Sequence, residues 1–290
     1  MPPKLEAARI SEMYDYMIAP GAPLPEYSDA SFVFCRKSSH LVEAAVAAHE
    51  HAGFTVVSGS FGKDSGDSPF TEHYGTPEAE YMLESMRDQG GFDLGGPIFM
   101  ELKARTGREN ARYGLAMVTR GIARVALSED GSRSRVPAFN LIATGHSTQA
   151  RRLKATMQRE IDRTSAPIDR FVFHPSNYPF NPKNPFDQYE VASEVEKVAQ
   201  LGEEVPKEML EYAIYVAAYR KVGFKRAGIK NPSTADDTVR GVSPVRAMLL
   251  PNRPWYHANR SRFAARHPRT FYPGNALQVA RAAFRETLGR

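Results

Sequence analysis

Short apolar runs alternate with amphipathic helical segments along the middle of the chain, and this alternation constrains the fold more than any other feature. The apolar runs are SFVFC (31–35), FTVVS (54–58), PIFMEL (97–102), FNLIATG (139–145) and RFVFHP (170–175). The segments with helical periodicity are 40–53, 77–90, 107–120 and 147–162. Strands that alternate with helices predict a mainly parallel sheet with helices on both faces, which is a doubly wound α/β fold.

The chain has a different character on either side of this alternation. A helical stripe is found at 4–18, and two more helical segments follow the last strand at 187–201 and 206–223. An irregular, aromatic tail then leads to a last predicted helix at 275–288. The expected regions are an N-terminal helix and linker (1–30), an α/β core (31–180) and a helical, basic C-terminal extension packed on the core (181–290).

Composition is typical of an ordinary globular protein. Of the 290 residues, 42% are hydrophobic and 24% are charged. No apolar run approaches the roughly 18 residues of a membrane span, and the N-terminus has no apolar segment typical of a secretory signal, so we expect neither. Cys35 is the only cysteine. No internal disulfide can therefore form, and we expect a cytoplasmic protein.

The net charge of +5 is unevenly distributed along the chain. From Lys225 to the C-terminus there are 13 Lys and Arg against three Asp and Glu, and the rest of the chain is net acidic. Such a basic tail could face an anionic ligand or nucleic acid. The alternative is an arginine-rich coat that pairs with the acidic remainder of the fold.

The predicted topology brings five connections to one edge of the sheet, because the carboxyl ends of parallel strands lie together. These connections are residues 36–39, 59–76, 103–106, 145–147 and 175–185. Ligands of open α/β sheets bind in the crevice beyond this edge. The sequence therefore predicts a binding cleft formed by segments that are far apart in the chain.

A glycine-rich loop, SGSFGKDSGDS (58–68), follows the second strand. Its glycines would let backbone N–H groups approach a ligand, but it matches neither the Walker A nor the GxGxxG pattern, and a flexible surface loop is the alternative. The next helix starts with PEAE, in which the helix dipole alone accounts for Glu78 and Glu80. Glu78 is the better candidate for a site because it lies nearer the loop.

The segment KARTGRENARYGL surrounds another predicted helix start. Thr106 and Glu109 have the T-x-x-E spacing of a capping box, in which each side chain accepts an otherwise unpaired N–H. Capping does not explain Asn110, which is a poor residue for a helix interior. A helix N-terminus also attracts anions. Both a cap and the floor of a binding site are consistent with this pattern.

The segment ATGHSTQARR again runs from a strand end into a helix. His146 could act as an acid or base. The alternative is a helix start that Ser147 or Thr148 caps, with solvated arginines in its first turn. No spacing typical of metal ligands is present, so we expect no metal site. For Cys35, at the end of the first strand, we expect a buried, inert thiol rather than a nucleophile.

The order of these segments resembles that of the YdcF-like family, whose relatives include SanA and ElyC. The matching motifs are VSGSFGKDS, PEAE, IFMELKART, GRENA and HSTQARR. The resemblance implies a Rossmann-like α/β core with a helical C-terminal extension, and it implies binding of S-adenosylmethionine. It places Gly59, Gly62, Glu78, Glu101, Thr106, Glu109, Asn110 and Gln149 at the ligand cleft, with Arg151 and Arg152 nearby. This chain departs from the family where CRKSSH replaces a glycine-containing turn and where Ser60 replaces a glycine.

We therefore expect a transferase that moves a methyl or aminocarboxypropyl group from S-adenosylmethionine to a small acceptor. A carboxylate would face the sulfonium, and Lys63 or a helix N-terminus would bind the carboxylate of the cofactor. The expected cofactor-binding residues are Gly59, Ser60, Gly62, Lys63, Glu78, Glu101, Thr106, Asn110, Thr144, Gln149 and Arg152. The expected catalytic residues are His146 and Glu109.

Two other functions remain open. The glycine-rich loop and the helix N-termini could serve a phosphorylated sugar or a cell-envelope precursor, in which case phosphate would compete and S-adenosylmethionine would not bind. The basic tail could bind nucleic acid with an affinity that falls steeply with salt, and we rank this hypothesis last. The sequence does not determine the acceptor or the oligomeric state. An acidic core under a basic tail would allow the acceptor to be anionic.

Overall fold

The computed structural model describes residues 5–18, 23–60, 76–90, 95–130 and 136–226. The elements are α1 (Ala7–Ile18), β1 (Ala30–Phe34), α2 (Ser39–Glu50), β2 (Thr55–Ser58), α3 (Glu78–Gly90), β3 (Ile98–Glu101), α4 (Gly107–Asp130), β4 (Phe139–Gly145), a 3-10 turn (Ser147–Gln149), α5 (Ala150–Thr164), β5 (Ile168–Pro175), α6 (Pro185–Gln200) and α7 (Lys207–Arg226). Gly62, Lys63, the tail after residue 226 and the predicted helix at 275–288 lie outside the described residues.

Five strands form one all-parallel sheet in the order β3-β2-β1-β4-β5. β1 lies between β2 and β4, with Val33 paired to Val57 on one side and to Thr144 on the other. Helices α2 and α3 cover one face of the sheet, and α4 and α5 cover the other. The predicted doubly wound α/β fold is confirmed. The strands from β1 to β3 are added towards one edge of the sheet and β4 and β5 towards the other, so the switch point lies between β1 and β4.

Burial on both faces explains why the central strand β1 is a continuous apolar run. In β1, Phe32 and Phe34 pack with residues of α4 and α5, whereas Val33 packs with residues of α2 and α3. All five residues of this strand are buried. A strand covered on both sides has no position for an exposed polar residue, and this accounts for the run SFVFC.

Two glycines allow α4 to lie directly on the sheet. A Cβ at Gly114 would be 1.9 Å from Cε2 of Phe32, and a Cβ at Gly121 would be 2.6 Å from Cζ of Phe54. The sequence prediction ended this helix at residue 120 and was wrong, because the helix continues to Asp130. Gly121 weakens the helix locally, but it gives the ring of Phe54 the space that a side chain would occupy.

The chain divides into two compact units. The first contains the sheet and its covering helices, within Tyr16–Lys63 and Thr76–Tyr178. The second is helical and contains, among the described residues, 5–15 and 179–226.

Aromatic contacts hold the helical unit together. Tyr212 of α7 accepts the Glu6 N–H through its hydroxyl at 2.9 Å, and its ring lies under the Arg9 guanidinium at 4.1 Å. Phe186 of α6 packs against Phe224 of α7, with ring centroids 4.8 Å apart. Within the described ranges, no helix combines the length and the apolar character that crossing a bilayer requires.

Candidate functional site

The connections after β2 and β3 are tied together at the carboxyl edge of the sheet. The Gly59 N–H donates to the Glu101 carbonyl at 3.1 Å, and the Ser60 N–H donates to the Ala104 carbonyl at 3.0 Å. The Gly59 carbonyl accepts the Ala79 N–H of α3 at 3.0 Å. The two N–H groups expected to approach a ligand are therefore used within the chain, so Gly59 and Ser60 can contribute to a site only through other atoms.

Gly59 is needed for packing. A Cβ at this position would be 3.0 Å from Oε2 of Glu78 and 3.1 Å from Cβ of Cys35. Both contacts are tighter than real side chains normally make. The lack of a side chain therefore allows the half-buried Glu78 carboxylate to lie over the end of β2, next to the end of β1.

Glu101 is a buried carboxylate at the end of β3, with only 5% of its surface exposed. Oε2 accepts the Ser58 hydroxyl at 2.8 Å, and Oε1 accepts the Lys103 N–H at 2.6 Å and the Ala104 N–H at 3.2 Å. These bonds fix the turn between β3 and α4. The sequence predicted Glu101 as a ligand-binding residue; the structure shows its oxygens bonded to the turn, and the ligand role stays a prediction.

The start of α4 is capped as predicted. The Thr106 hydroxyl accepts the Glu109 N–H at 3.2 Å, and Glu109 Oε2 accepts the Arg105 N–H at 2.8 Å. The second bond differs from that of a capping box, in which it would come from the N–H of Thr106 itself. Asn110, which capping did not explain, is buried, and its Oδ1 lies 3.4 Å from the Ser58 hydroxyl. The first turn of α4 is thus attached to the end of β2.

Arg152 brings a positive charge to this helix start. Its Nη1 lies 2.8 Å from the point where a Gly107 Cβ would be. Any side chain at Gly107 would displace the guanidinium, so the glycine in TGREN is explained by this close approach. Arg151 is engaged elsewhere, because its guanidinium lies 3.9 Å above the Tyr16 ring.

A second group of polar residues lies where β4 ends, at the switch point of the sheet. The buried His146 ring has its Nδ1 2.7 Å from the Thr148 hydroxyl, and the ring packs against Tyr178 with centroids 4.8 Å apart. Tyr178 also packs against His40, in the first turn of α2. The His146 ring is therefore held in one orientation by a hydrogen bond and an aromatic contact.

Thr144 and Gln149 frame this histidine along the chain. The Thr144 side chain is fully buried, and its hydroxyl makes no hydrogen bond among the residues that the structure describes. A buried hydroxyl without a partner is unusual, and a bound water or ligand atom is the ordinary explanation. Gln149 is partly exposed, and its N–H donates to the His146 carbonyl at 2.9 Å.

Sequence reasoning missed three residues of this edge. Ser58 joins Glu101 to Asn110, Ser176 accepts the Ser147 N–H through its hydroxyl at 3.1 Å, and Tyr178 packs against His146. The connection after the fifth strand was predicted to reach the edge. Its polar and aromatic residues gave the only signal that could have identified Ser176 and Tyr178.

Two carboxylates act electrostatically on the thiol at the end of β1. Burial raises the pKa of the Cys35 thiol well above its usual value, and the carboxylates of Glu78 and Glu101 raise it further. Cys35 is therefore a protonated thiol at neutral pH, which agrees with the expected inert role. No cluster of His, Cys, Asp or Glu suited to a metal ion is found within the described ranges.

The all-parallel sheet and its strand order define a Rossmann-like α/β protein with polar residues gathered at the carboxyl edge. No protein-family model matches this chain, and no curated protein matches its sequence. The likeness to the YdcF-like family thus stays a prediction that depends on the five motifs and their order.

Proposed function

We propose that this protein binds S-adenosylmethionine at the carboxyl edge of its sheet and transfers a methyl or aminocarboxypropyl group to a small acceptor. The observation that carries the proposal is the pairing of opposite charges along this edge. Carboxylates lie at the ends of β2 and β3, and an arginine lies where α4 begins. S-adenosylmethionine is a zwitterion with matching charges, since its sulfonium and ammonium groups are cationic and its carboxylate is anionic.

The acidic part of the edge suits the cationic groups. The carboxylates of Glu78 and Glu101 both raise the pKa of Cys35, so their negative potential extends across the end of β1. Glu101 accepts hydrogen bonds from Ser58 and from main-chain N–H groups of the turn after β3. We expect Glu78, which lies over the end of β2 beside Gly59, to face the sulfonium.

The basic part suits the carboxylate of the cofactor. The Arg152 guanidinium lies beside Gly107, the first residue of α4, where the helix dipole also favours an anion. Asn110, one turn further along α4, is within hydrogen-bonding distance of Ser58, which precedes Gly59. The acidic and basic parts are thus connected through Ser58 and Asn110, which join the end of β2 to the first turn of α4.

The protein's task in such a reaction is mainly positional. When bound, a sulfonium supplies a carbon already activated for displacement, so holding the acceptor in line gives most of the rate. We expect His146 to accept the proton of the acceptor, because Thr148 and Tyr178 fix its ring. Glu109 is less suited to this role, since its Oε2 already accepts the Arg105 N–H.

Isothermal titration with S-adenosylmethionine and with S-adenosylhomocysteine tests the charge pairing. Glu78→Gln should weaken S-adenosylmethionine binding about tenfold, equivalent to about 1.4 kcal/mol, and should affect S-adenosylhomocysteine little because it lacks the sulfonium charge. Arg152→Gln should weaken both ligands, because both carry the carboxylate. Glu80→Gln is the matched control in the same turn of α3 and should change neither. If millimolar S-adenosylmethionine produces no heat of binding and no thermal shift, the proposal is ruled out.

A phosphorylated sugar or cell-envelope precursor is the second candidate ligand. The observation in its favour is again Arg152 beside the first turn of α4, which would suit a phosphate as well as a carboxylate. This candidate predicts that inorganic phosphate or a nucleotide sugar raises the melting temperature and that S-adenosylmethionine does not. The negative potential around Cys35 favours the zwitterion instead, because a dianion would be repelled there.

A further inference from the structure

The outer surface of α4 carries a row of arginines. In steps of four residues along this helix, arginine occupies four of five successive positions and alanine the middle one: Arg108, Arg112, Ala116, Arg120 and Arg124. All five side chains are exposed. Residues four apart are neighbours on a helix surface and rise by about 6 Å, so the row is about 24 Å long. We call these four arginines the arginine ridge.

The charges of the arginine ridge are not neutralised by acidic side chains. In the part of the chain that the structure describes, none of its four guanidinium groups belongs to an ion pair. Arg112 lies 6.0 Å from the ring of Tyr113, a contact that leaves its charge in place. The acid in the first turn of α4, Glu109, accepts the Arg105 N–H with Oε2. Like charges four residues apart destabilise a helix, so the ridge brings no advantage to α4 itself.

The two helical layers of the α/β unit carry opposite charges. The helices α4, as far as residue 126, and α5 together hold nine Lys and Arg against three Asp and Glu. On the other face of the sheet, α2 and α3 hold one Arg against six Asp and Glu. Lys154 of α5, which packs beside α4, adds another exposed positive charge to the basic layer. An anionic partner is therefore attracted to the ridge and repelled from the opposite layer.

The chemistry and spacing of the ridge favour nucleic acid as this partner. The guanidinium group binds phosphate oxygens through paired N–H groups, and a regular row of cations suits a polymer with a phosphate at regular intervals. A duplex is favoured over a single strand because it has the higher charge density. An anionic membrane fits less well. Helices on membrane surfaces insert an apolar face, and that face of α4 is buried against the sheet through Leu115 and Val118.

We propose that the arginine ridge binds the phosphate backbone of a nucleic acid duplex without sequence preference. Contacts to phosphates hold a protein on a duplex but carry no sequence information. The ridge starts at the carboxyl edge of the sheet and runs away from it, since Gly121 already packs on Phe54 just before β2 begins. The surface is thus separate from the proposed cofactor cleft, and its binding requires no cofactor.

Fluorescence anisotropy of a labelled DNA duplex, titrated with the full chain at several salt concentrations, tests the proposal. A duplex of about 20 base pairs is long enough, because 24 Å covers about 7 base pairs. Arg120→Gln/Arg124→Gln removes two phosphate contacts. It should therefore weaken binding at least about tenfold near 0.1 M salt and make the slope of log K against log salt shallower by about 1.8. Arg87→Gln/Lys207→Gln is the matched control, because it removes two exposed charges from α3 and α7. Its slope should stay near that of the wild type.

Arg120→Glu separates lost binding from lost folding. This variant places an acid four residues before Arg124, an arrangement that stabilises a helix. Its melting temperature should therefore equal or exceed that of the wild type while its affinity for the duplex falls. The basic tail after residue 225 is present in every variant, so the differences between variants arise from the ridge alone.

Three results would overturn the proposal. The first is a wild-type protein that does not bind the duplex at about 50 mM salt. The second is an affinity and a salt slope that Arg120→Gln/Arg124→Gln changes no more than the control does, because another surface would then bind the duplex. The third is binding to phosphatidylserine vesicles with no binding to the duplex, which would indicate a membrane-binding surface instead.

Discussion

Alanine at Gly114 should destabilise the protein even though alanine is the better helix residue. The added Cβ would lie 1.9 Å from Cε2 of Phe32, whereas carbon atoms in contact are about 3.5–4.0 Å apart. Phe32 is fully buried and packs edge-on against Phe34 with centroids 4.8 Å apart, so its ring has no space to retreat into. Overpacking of this kind typically costs about 1–3 kcal/mol and occasionally more.

The higher helix propensity of alanine acts in the opposite direction, so its stabilising contribution must be subtracted from the cost of overpacking. Alanine is about 1 kcal/mol better than glycine within a helix. The overlap at Gly114 is so deep that we take the upper end of the overpacking range, which leaves a net loss of about 2 kcal/mol. For a chain of this size that loss corresponds to a fall in melting temperature of about 4–8 °C. Gly223 in α7 provides the matched control, because a Cβ there meets nothing within 4 Å, so Gly223→Ala should stabilise by up to about 1 kcal/mol.

Urea denaturation followed by far-ultraviolet circular dichroism measures both variants. The double variant Gly114→Ala/Phe32→Leu separates a steric effect from any other, because leucine removes the ring that the new Cβ would meet. We expect the double variant to be more stable than Gly114→Ala alone, although Phe32→Leu is itself destabilising. A Gly114→Ala protein as stable as the wild type would refute the close approach of α4 to β1.

Four further variants or probes test other parts of the α/β unit. Thr106→Ala should cost about 1 kcal/mol of unfolding free energy through the lost cap of α4, measured by urea denaturation. Glu101→Gln should cost about 2 kcal/mol or more, because an amide cannot accept all the hydrogen bonds of the buried carboxylate, and an unchanged midpoint would contradict this role. Cys35 should resist a thiol reagent at pH 8 until urea unfolds the chain, since burial and nearby carboxylates raise its pKa. Burial, with a smaller effect of another histidine, lowers the pKa of His174 below 6.5, so the unfolded chain binds its proton first and stability falls as the pH drops below that value. His174→Gln should reduce this dependence of the urea midpoint between about pH 6.5 and 5.

Much of the fold could be predicted because its determinants are local. Strands buried on both faces appear as mainly apolar runs such as 139–145, and the bounds of this run agree with those of β4. The end of α4 could not be predicted, because a glycine such as Gly121 indicates the end of a helix when only the local sequence is considered. Its true role depends on the ring of Phe54, which is far away in the sequence. The packing that overrides a local preference is visible only after the chain has folded.

The candidate site could likewise be predicted only in part. The cap formed by Thr106 and Glu109 follows from a spacing of three residues, and the sequence predicted it. The contact between Ser58 and Asn110 joins residues that are 52 positions apart, and no local pattern indicates it. The sequence also could not show that Glu101 accepts hydrogen bonds from its own turn. That outcome depends on the path of the turn after β3, which aims two N–H groups at the carboxylate.

The glycines at the carboxyl edge change how binding experiments on this protein should be designed. Gly59 makes room for Glu78, and Gly107 makes room for Arg152, so each glycine admits a charged side chain to the edge. A loss of ligand binding in Gly59→Ala or Gly107→Ala would therefore arise from displacement of these charges, with no backbone contact to the ligand required. Substitution of the charge itself, with the glycine retained, distinguishes the two explanations. If Gly59→Ala abolishes binding while Glu78→Gln leaves it intact, the ligand contacts the backbone and the electrostatic basis of the proposed function is wrong.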